Sequence, residues 1–192
     1  MTNSLPTVYM DACCFIDCAK TVMKTPTPKV REPHIYFCRK FLEAARNKHV
    51  TVYTSTVSVV ECIKLTDDTV KGGPTIEDDN IKALFKRMLM SAKSGVMPVM
   101  PNPGITESAR DLRWNHGITC SGMDRIHVAT ALAMNASHFL TTDGRLGHEN
   151  IQKIGHLGLV VATADTVAHL LPDEYKQLHL EAKHATKQGI QA

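Results

Sequence analysis

Short apolar runs alternate along the chain with longer segments in which apolar residues recur every three or four positions. Strands are predicted at the apolar runs 7–10, 50–54, 96–100, 138–141 and 159–162. Helices are predicted at the periodic segments 35–45, 55–65, 78–89, 106–116, 121–135 and 165–171. Strands that alternate with helices indicate an α/β fold with a largely parallel sheet. Pro98 within the third run places that strand at an edge, because proline cannot donate to a ladder.

Two segments interrupt this alternation and are predicted to be loops or insertions. Residues 20–34 contain the Pro- and Lys-bearing stretch TPTPKVREP, and residues 66–80 are acidic and contain Gly-Gly-Pro. The chain ends in a polar segment that is predicted to be helical or frayed. We therefore expect one domain over residues 1–174 and a tail over residues 175–192.

Length and composition fit one globular core. The 192 residues are 43% hydrophobic and 21% charged. No apolar run approaches the roughly 20 residues of a membrane helix, and the N-terminus lacks the basic and apolar regions of a secretory signal. A cytoplasmic location without membrane contact is the resulting expectation. The six cysteines form no C-x-x-C pair and are expected to be reduced, most of them buried as small hydrophobes.

Charge is distributed unevenly along the chain. The formal net charge is only +3, but residues 20–48 hold eight Lys and Arg against two Glu, a balance of +6. Such a segment can hold phosphates through its cations. The alternative is a solvated helix face joined to a basic loop.

Four carboxylates follow predicted strands or lie on neighbouring helices, at positions where parallel sheets bind ligands. Asp11 follows the first predicted strand, and Asp143 follows the strand at 138–141. Glu61 lies on the helix after the second strand, and Asp124 lies in the first turn of the helix at 121–135. Ligands of such sheets bind beyond the carboxyl ends of the strands, so the four acids converge if the first and fourth strands are neighbours. Converging carboxylates bind divalent cations that prefer oxygen, Mg²⁺ or Mn²⁺.

Each acid also has a structural explanation. Asp11 and Asp143 can be turn residues, the latter in an Asp-Gly pair. Asp124 stands three residues after Ser121, where an acidic side chain completes a capping box. Glu61 shares a helix face with apolar residues, which is unusual for a solvated glutamate. The set is stronger evidence than its members, because the fold brings all four to one end of the sheet.

Four motifs resemble those of the PIN-domain family. They are VYMDACCFID, STVSVVECI, SGMDRIHVATALAMNASHFLTTDGRL and LGLVVATADTVAHLL, in this order over residues 7–171. The resemblance implies a three-layer α/β/α sandwich with a central, mostly parallel five-stranded sheet. It also implies that Asp11, Glu61, Asp124 and Asp143 are the metal-binding and catalytic carboxylates.

The resemblance implies an endoribonuclease that uses Mg²⁺ or Mn²⁺ and leaves a 5′-phosphate and a 3′-hydroxyl. RNA is the expected substrate, and Lys20, Lys24, Arg39 and Lys40 are its expected contacts. An antitoxin protein and a second copy of the chain, as a homodimer, are the further partners considered. The chain is longer than compact VapC-type toxins, so a toxin and a housekeeping RNA-processing enzyme both stay open.

Two other classes are weighed against the nuclease. A non-catalytic PIN-like module that binds RNA or protein is disfavoured, since all four acids are present. A phosphatase of another α/β fold would carry Asp-x-Asp after its first strand, whereas here Ala12 and Cys13 follow Asp11.

Further candidates lie beside the acids, each with a second interpretation. Thr142 could hydrogen-bond a phosphate or a water on the metal, or simply favour the strand. Arg125 could contact phosphate or pair with an acid. His127, one turn after Asp124, could touch metal or substrate or pack in the core, and Asp17 could support the metal site or be a solvated helix residue.

Overall fold

The computed structural model describes residues 5–176, which contain a central five-stranded sheet and a separate two-stranded hairpin. The strands are β1 (Thr7–Met10), β2 (Thr51–Ser55), β3 (Leu65–Thr66), β4 (Thr75–Ile76), β5 (Val96–Val99), β6 (His138–Leu140) and β7 (Val160–Ala162). The helices are α1 (Ala12–Met23), α2 (Glu32–Arg46), α3 (Val57–Glu61), α4 (Asp79–Met90), α5 (Pro103–Trp114), α6 (Gly122–Ala133) and α7 (His148–His156).

The central sheet is parallel throughout and has the strand order β5-β2-β1-β6-β7. Its register pairs Val8 with Val52 on one side and with His138 on the other. Strands β1 and β6 are therefore neighbours, as convergence of the four acids requires. The edge position predicted for the strand that contains Pro98 is confirmed.

Helices cover both faces of the sheet, and each face has its own apolar core. Val8 and Met10 point to the face packed by α1, α2 and α4, where Phe15 and Phe41 are fully buried. Tyr9 points to the opposite face, which α5, α6 and α7 cover. This arrangement is the α/β/α sandwich expected from the sequence, because alternate residues of a strand face opposite sides of a sheet.

Local signals explain where the helices next to the site begin. Helix α1 starts directly at Asp11, whose side chain accepts a hydrogen bond from the Ala12 backbone N–H. Helix α6 starts at a capping box in which the Ser121 hydroxyl accepts from the Asp124 N–H and the Asp124 carboxylate accepts from the Ser121 N–H. Such caps satisfy amide groups that have no partner in the first turn of a helix.

Several predicted elements differ from those in the structure. The helix expected over 55–65 is limited to α3, because its β-branched run disfavours helix and the chain leaves it at Cys62. The segment 66–80 is not a plain loop, since strands β3 and β4 pair there as an antiparallel hairpin. The helix expected over 165–171 is only a 3₁₀ turn at Ala168–Leu170.

Two further points concern the C-terminal part. Helix α7 is not among the predicted elements, although Ile154 is buried in the core and Ile151 packs against it. Most of the tail expected over 175–192 lies outside the described residues. Among residues 5–176, none of the helices combines the length and the apolarity that a membrane span requires.

Candidate active site

Asp11 lies at the carboxyl end of β1, in the centre of the sheet, and is held from three sides. Its Oδ1 accepts from the Ala12 backbone N–H at 2.8 Å, and its Oδ2 accepts from the Thr141 hydroxyl at 2.8 Å. The Cys13 thiol donates to the same Oδ2 at 3.4 Å. Burial raises the pKa of Asp11, and these hydrogen bonds and nearby His127 oppose that shift only in part. The site therefore contains a largely buried carboxylate whose charge is incompletely compensated.

Glu61 and His127 complete a compact group with Asp11. Among the described residues, one ligand atom from each of the three lies within 4.8 Å of the others. Glu61 ends α3 and His127 lies on α6, and the His127 Nε2 is 2.7 Å from the Glu61 Oε2 and 3.9 Å from the Asp11 Oδ1. Carboxylate oxygens are the ligands that Mg²⁺ and Mn²⁺ prefer, and an imidazole beside them can orient a carboxylate that binds the ion. The donor set therefore fits a divalent cation.

His127 is almost fully buried, with 1% of its side chain exposed. Its Nδ1 lies 2.6 Å from the Tyr9 hydroxyl, and that hydroxyl accepts the Ser55 backbone N–H at 2.7 Å. Burial lowers the pKa of His127, but the hydrogen bond to Glu61 and the charge of Asp11 outweigh burial and raise it overall. The interpretation of His127 as only a packed core residue is incomplete, since it joins the core to the acidic group.

Asp124 and Asp143 lie at the same edge but outside the compact group. The Asp124 carboxylate is engaged in the α6 capping box, yet it is close enough to raise the pKa of His127. The Asp143 Oδ1 accepts from the Arg145 backbone N–H at 2.8 Å and from Nε at 2.9 Å, and its Oδ2 accepts from Nε at 2.8 Å and from Nη2 at 2.5 Å. This pairing lowers the pKa of Asp143. The Arg145 side chain is 83% exposed. The Asp143 side chain is 15% exposed, and a cation that binds it would have to replace Arg145 as its partner.

A charge network borders the site beside Thr142. Arg31 donates from Nη2 to both Asp17 oxygens at 2.6 Å and to the Thr142 hydroxyl at 3.3 Å, and its Nη1 donates to Asp68 at 2.7 Å. Lys20 also pairs with Asp68, which belongs to the connection between β3 and β4. The Asp17 side chain is fully buried, which corrects its interpretation as a solvated helix residue.

Lys20 requires a correction as well. Its side chain is 2% exposed and forms an ion pair with Asp68. A buried, paired ammonium cannot reach an RNA backbone without breaking that pair, so the structure contradicts its assignment as an RNA contact. Arg125 instead donates to the backbone carbonyls of Ala109 and Cys120, which fastens α6 to α5.

Three cations of the basic segment, Arg39, Lys40 and Arg46, line a groove between α1, α2 and α4. The groove encloses about 580 Å³, has an apolar floor that includes Leu84 and Met88, and contains the cations Arg39, Lys40, Arg46, Arg87 and Lys93. Lys40 pairs with Glu43 at 2.8 Å. Within residues 5–176, the other four cations make no ion pair. The basic segment thus presents charge to solvent on the face opposite α5.

A second group of metal-ligand side chains, Cys14, His34 and Cys38, is buried below the sheet edge. The His34 Nδ1 accepts the Ala164 backbone N–H at 3.0 Å, so the proton of the neutral ring lies on Nε2. Burial lowers the pKa of His34 to about 4, which keeps the ring neutral. Because Nε2 faces the two sulfurs with a proton, this group is suited to hydrogen bonding and not to metal binding.

The protein is an α/β domain with a parallel sheet between two layers of helices. Its candidate site is a group of carboxylates at the carboxyl ends of the strands. A family model described as PIN domain matches residues 30–151, more than half of the chain. The chain therefore belongs to the PIN-domain family, and its fold is that of a nuclease. The matched range contains Glu61, Asp124 and Asp143 and begins after Asp11. Comparisons with curated proteins and with solved structures return no significant match.

Three contributors to the site were not singled out from the sequence. Tyr9 occupies an alternate position of a buried strand, which gives no sign that its hydroxyl contacts His127. Arg31 is one of the eight cations of the basic segment, and its sequence neighbours do not point to Asp17 as its partner. Arg145 stands two residues after Asp143, and that spacing in an Asp-Gly-Arg turn is the one local signal that could have identified it.

Proposed function

We propose that this chain is a metal-dependent endoribonuclease whose metal ligands are Asp11, Glu61, Asp124 and Asp143. The observation that carries the proposal is the gathering of a buried carboxylate, Asp11, and Glu61 at the carboxyl edge of a PIN-domain sheet. Asp124 and Asp143 border the same edge. We further propose that residues 1–174 act as one nuclease domain.

Different residues at this site orient the carboxylates and bind the cation. Thr141 and the first turn of α1 hold Asp11 in one orientation, and His127 holds Glu61. Release of Asp143 from Arg145 would free a third carboxylate and leave the guanidinium available to a phosphate. Mg²⁺ or Mn²⁺ bound to these acids would lower the pKa of an attacking water and neutralise charge on the leaving 3′-oxygen.

Cleavage of RNA in the presence of metal tests this proposal. Purified protein is incubated with end-labelled single-stranded and structured RNAs, with Mn²⁺, with Mg²⁺ and with excess EDTA. We expect internal cleavage that leaves a 5′-phosphate and a 3′-hydroxyl, and no cleavage in EDTA. Equal cleavage in EDTA, or products with a cyclic phosphate, would contradict the metal-dependent mechanism.

The biological setting of the nuclease is a separate question. We propose a toxin of a toxin–antitoxin pair, which would require an antitoxin partner, with an RNA-processing enzyme as the second candidate. The gene beside this one distinguishes them: a small neighbouring gene whose product binds the chain and blocks cleavage supports the toxin. A protein that binds RNA without cutting it under any of the metal conditions would instead be a non-catalytic module.

RNA is proposed to run along the exposed cations Lys24 and Arg39 and the partly buried Lys40 of the basic segment, without Lys20. The double reversal Lys24→Glu/Arg39→Glu is expected to weaken RNA binding and to reduce the slope of log affinity against log salt by about 0.7 per lost phosphate contact. Single-turnover cleavage at saturating RNA should change little, because phosphate contacts position the strand and leave the chemistry to the acids.

The matched control is Arg113→Glu, which reverses an exposed cation on α5 on the opposite face of the sheet. Binding is measured by fluorescence anisotropy at several salt concentrations. If the double reversal and Arg113→Glu change affinity and salt slope equally, the RNA path does not follow α2.

A further inference from the structure

The hydrogen-bond pattern around His127 decides whether this histidine binds a metal or supports a residue that does. The ring has two nitrogens, with the Tyr9 hydroxyl at 2.6 Å from Nδ1 and the Glu61 carboxylate at 2.7 Å from Nε2. The contact with Tyr9 is buried, and the contact with Glu61 is partly buried. The direction of the Tyr9 hydrogen bond fixes what Nε2 can do.

The Ser55 backbone N–H donates to the Tyr9 oxygen at 2.7 Å. The Thr54 hydroxyl also lies beside the Tyr9 oxygen but donates its own proton to the Met10 carbonyl, and the phenolic proton is directed to the Nδ1 of His127 at 2.6 Å. The opposite direction would place the proton of the neutral ring on Nδ1 and leave Nε2, which faces the Glu61 carboxylate at 2.7 Å, with no proton to donate to that acceptor. A neutral imidazole that accepts at Nδ1 carries its own proton at Nε2.

An Nε2 that carries a proton has no lone pair for a metal, but it donates well to a carboxylate. We infer that Tyr9 and His127 form a chain of hydrogen bonds from the core to Glu61 and that His127 is a positioning residue that fixes the Glu61 carboxylate for cation binding. This inference rests on the proposed metal site. It assigns a role in that site to Tyr9 and His127, which lie on the side of the sheet covered by α5, α6 and α7. The side chain of Glu61 is 30% exposed, so without this donor it would sample solvent-facing rotamers.

Three variants separate positioning from ligation and from packing. His127→Ala removes the donor, and Mn²⁺ affinity is expected to fall 10–100-fold, the scale for loss of a group that orients a metal ligand. His127→Gln places an amide N–H near the position of Nε2 and is expected to recover most of that affinity. Tyr9→Phe removes the group that selects the tautomer and is expected to give a smaller loss, with Tyr53→Phe on the neighbouring strand as control.

Two readouts are used, neither of which requires RNA. Mn²⁺ binding is measured by titration calorimetry or by the EPR signal of the free ion, at a temperature where every variant is folded. The tautomer of His127 is read from long-range ¹H–¹⁵N NMR spectra at pH 8 with and without Mg²⁺, and its signals are identified by their absence in His127→Gln. We expect the proton on Nε2 in the parent and a mixture of tautomers in Tyr9→Phe.

The outcomes are distinct. Equal losses of affinity in His127→Gln and His127→Ala would mean that His127 is itself a ligand, and a proton on Nδ1 would agree with that result. A lowered melting temperature with unchanged Mn²⁺ affinity would reduce His127 to core packing; each of these results overturns the inference. A protein that binds Mn²⁺ but never cuts RNA would overturn the proposed function alone. If the parent does not bind Mn²⁺, the metal site fails, and the NMR spectra still decide the direction of the hydrogen-bond chain.

Discussion

The Asp11→Asn variant is expected to lose RNA cleavage by about 10³-fold or more, the scale of removing one member of a catalytic unit, while it keeps its fold. Asn retains an oxygen that can accept the Ala12 N–H, so the cap of α1 survives. What it lacks is the negative charge that a divalent cation needs. Cleavage is measured under single-turnover conditions in Mn²⁺, and folding is measured by circular dichroism.

The same variant is expected to melt slightly higher than the parent in the absence of metal. Burial raises the pKa of Asp11, which means that its charge destabilises the folded state at neutral pH. An amide does not carry that cost, so a gain of about 1 kcal/mol would raise the melting temperature by about 2–4 °C. Glu77→Gln, which neutralises an exposed acid between β4 and α4, is the control and should change neither property. A variant that unfolds, or that cuts RNA as fast as the parent, would make Asp11 a structural residue.

Arg31→Met is expected to lower the free energy of unfolding at pH 7 by about 3 kcal/mol, because it leaves the buried Asp17 carboxylate without its partner. At about 2–4 °C per kcal/mol for a chain of this size, the melting temperature should fall by about 6–12 °C. Arg110→Met breaks the exposed pair between Arg110 and Glu107 on α5 and should cost no more than about 1 kcal/mol. Thermal or urea unfolding measures both.

The pH dependence of this loss has a defined sign. Burial raises the pKa of Asp17 even with Arg31 present, and removal of the guanidinium takes away the main opposing influence. The folded variant then binds a proton more readily than the unfolded chain, so its stability falls as pH rises. The deficit relative to the parent should therefore shrink as pH is lowered from 7 toward 5. Addition of Asp17→Asn to Arg31→Met should recover part of the loss, and a deficit that is independent of pH would exclude Asp17 as its cause.

The sequence alone was sufficient for the sheet and for the location of the acids. Apolar strand runs and helical periodicity depend on local sequence, so both can be recognised without the structure. In a parallel sheet, ligands bind beyond the carboxyl ends of the strands, and this rule predicts that Asp11 and Asp143 lie at one edge. The family assignment and the sandwich fold are confirmed. The assignment of the four acids as metal ligands stays a prediction.

The partners of the charged side chains could not be predicted in the same way. Asp17 is buried because Arg31, 14 residues later, reaches it, and Lys20 is buried against Asp68, which is 48 residues away. Nothing local distinguishes these residues from solvated positions on a helix. Tyr9 and His127 are 118 residues apart and meet only because β1 and α6 pack against each other. Contacts of this kind depend on the assembled fold, which periodicity does not encode.

The β5 strand bears on how copies of the chain could associate. The Val99 carbonyl accepts the Thr56 N–H and therefore points toward β2. Because the backbone polar groups of successive residues in a strand point to opposite sides, those of Pro98 point toward the outer edge. The two outward positions of β5 are Val96 and Pro98: the Val96 N–H is already bonded to the Ser94 hydroxyl at 3.2 Å, and proline has no N–H. This border of the sheet thus offers no free amide to an incoming strand. Two copies of the chain that met edge to edge at β5 would lack donor amides along these strands, which disfavours a continuous ten-stranded sheet as the contact of a homodimer.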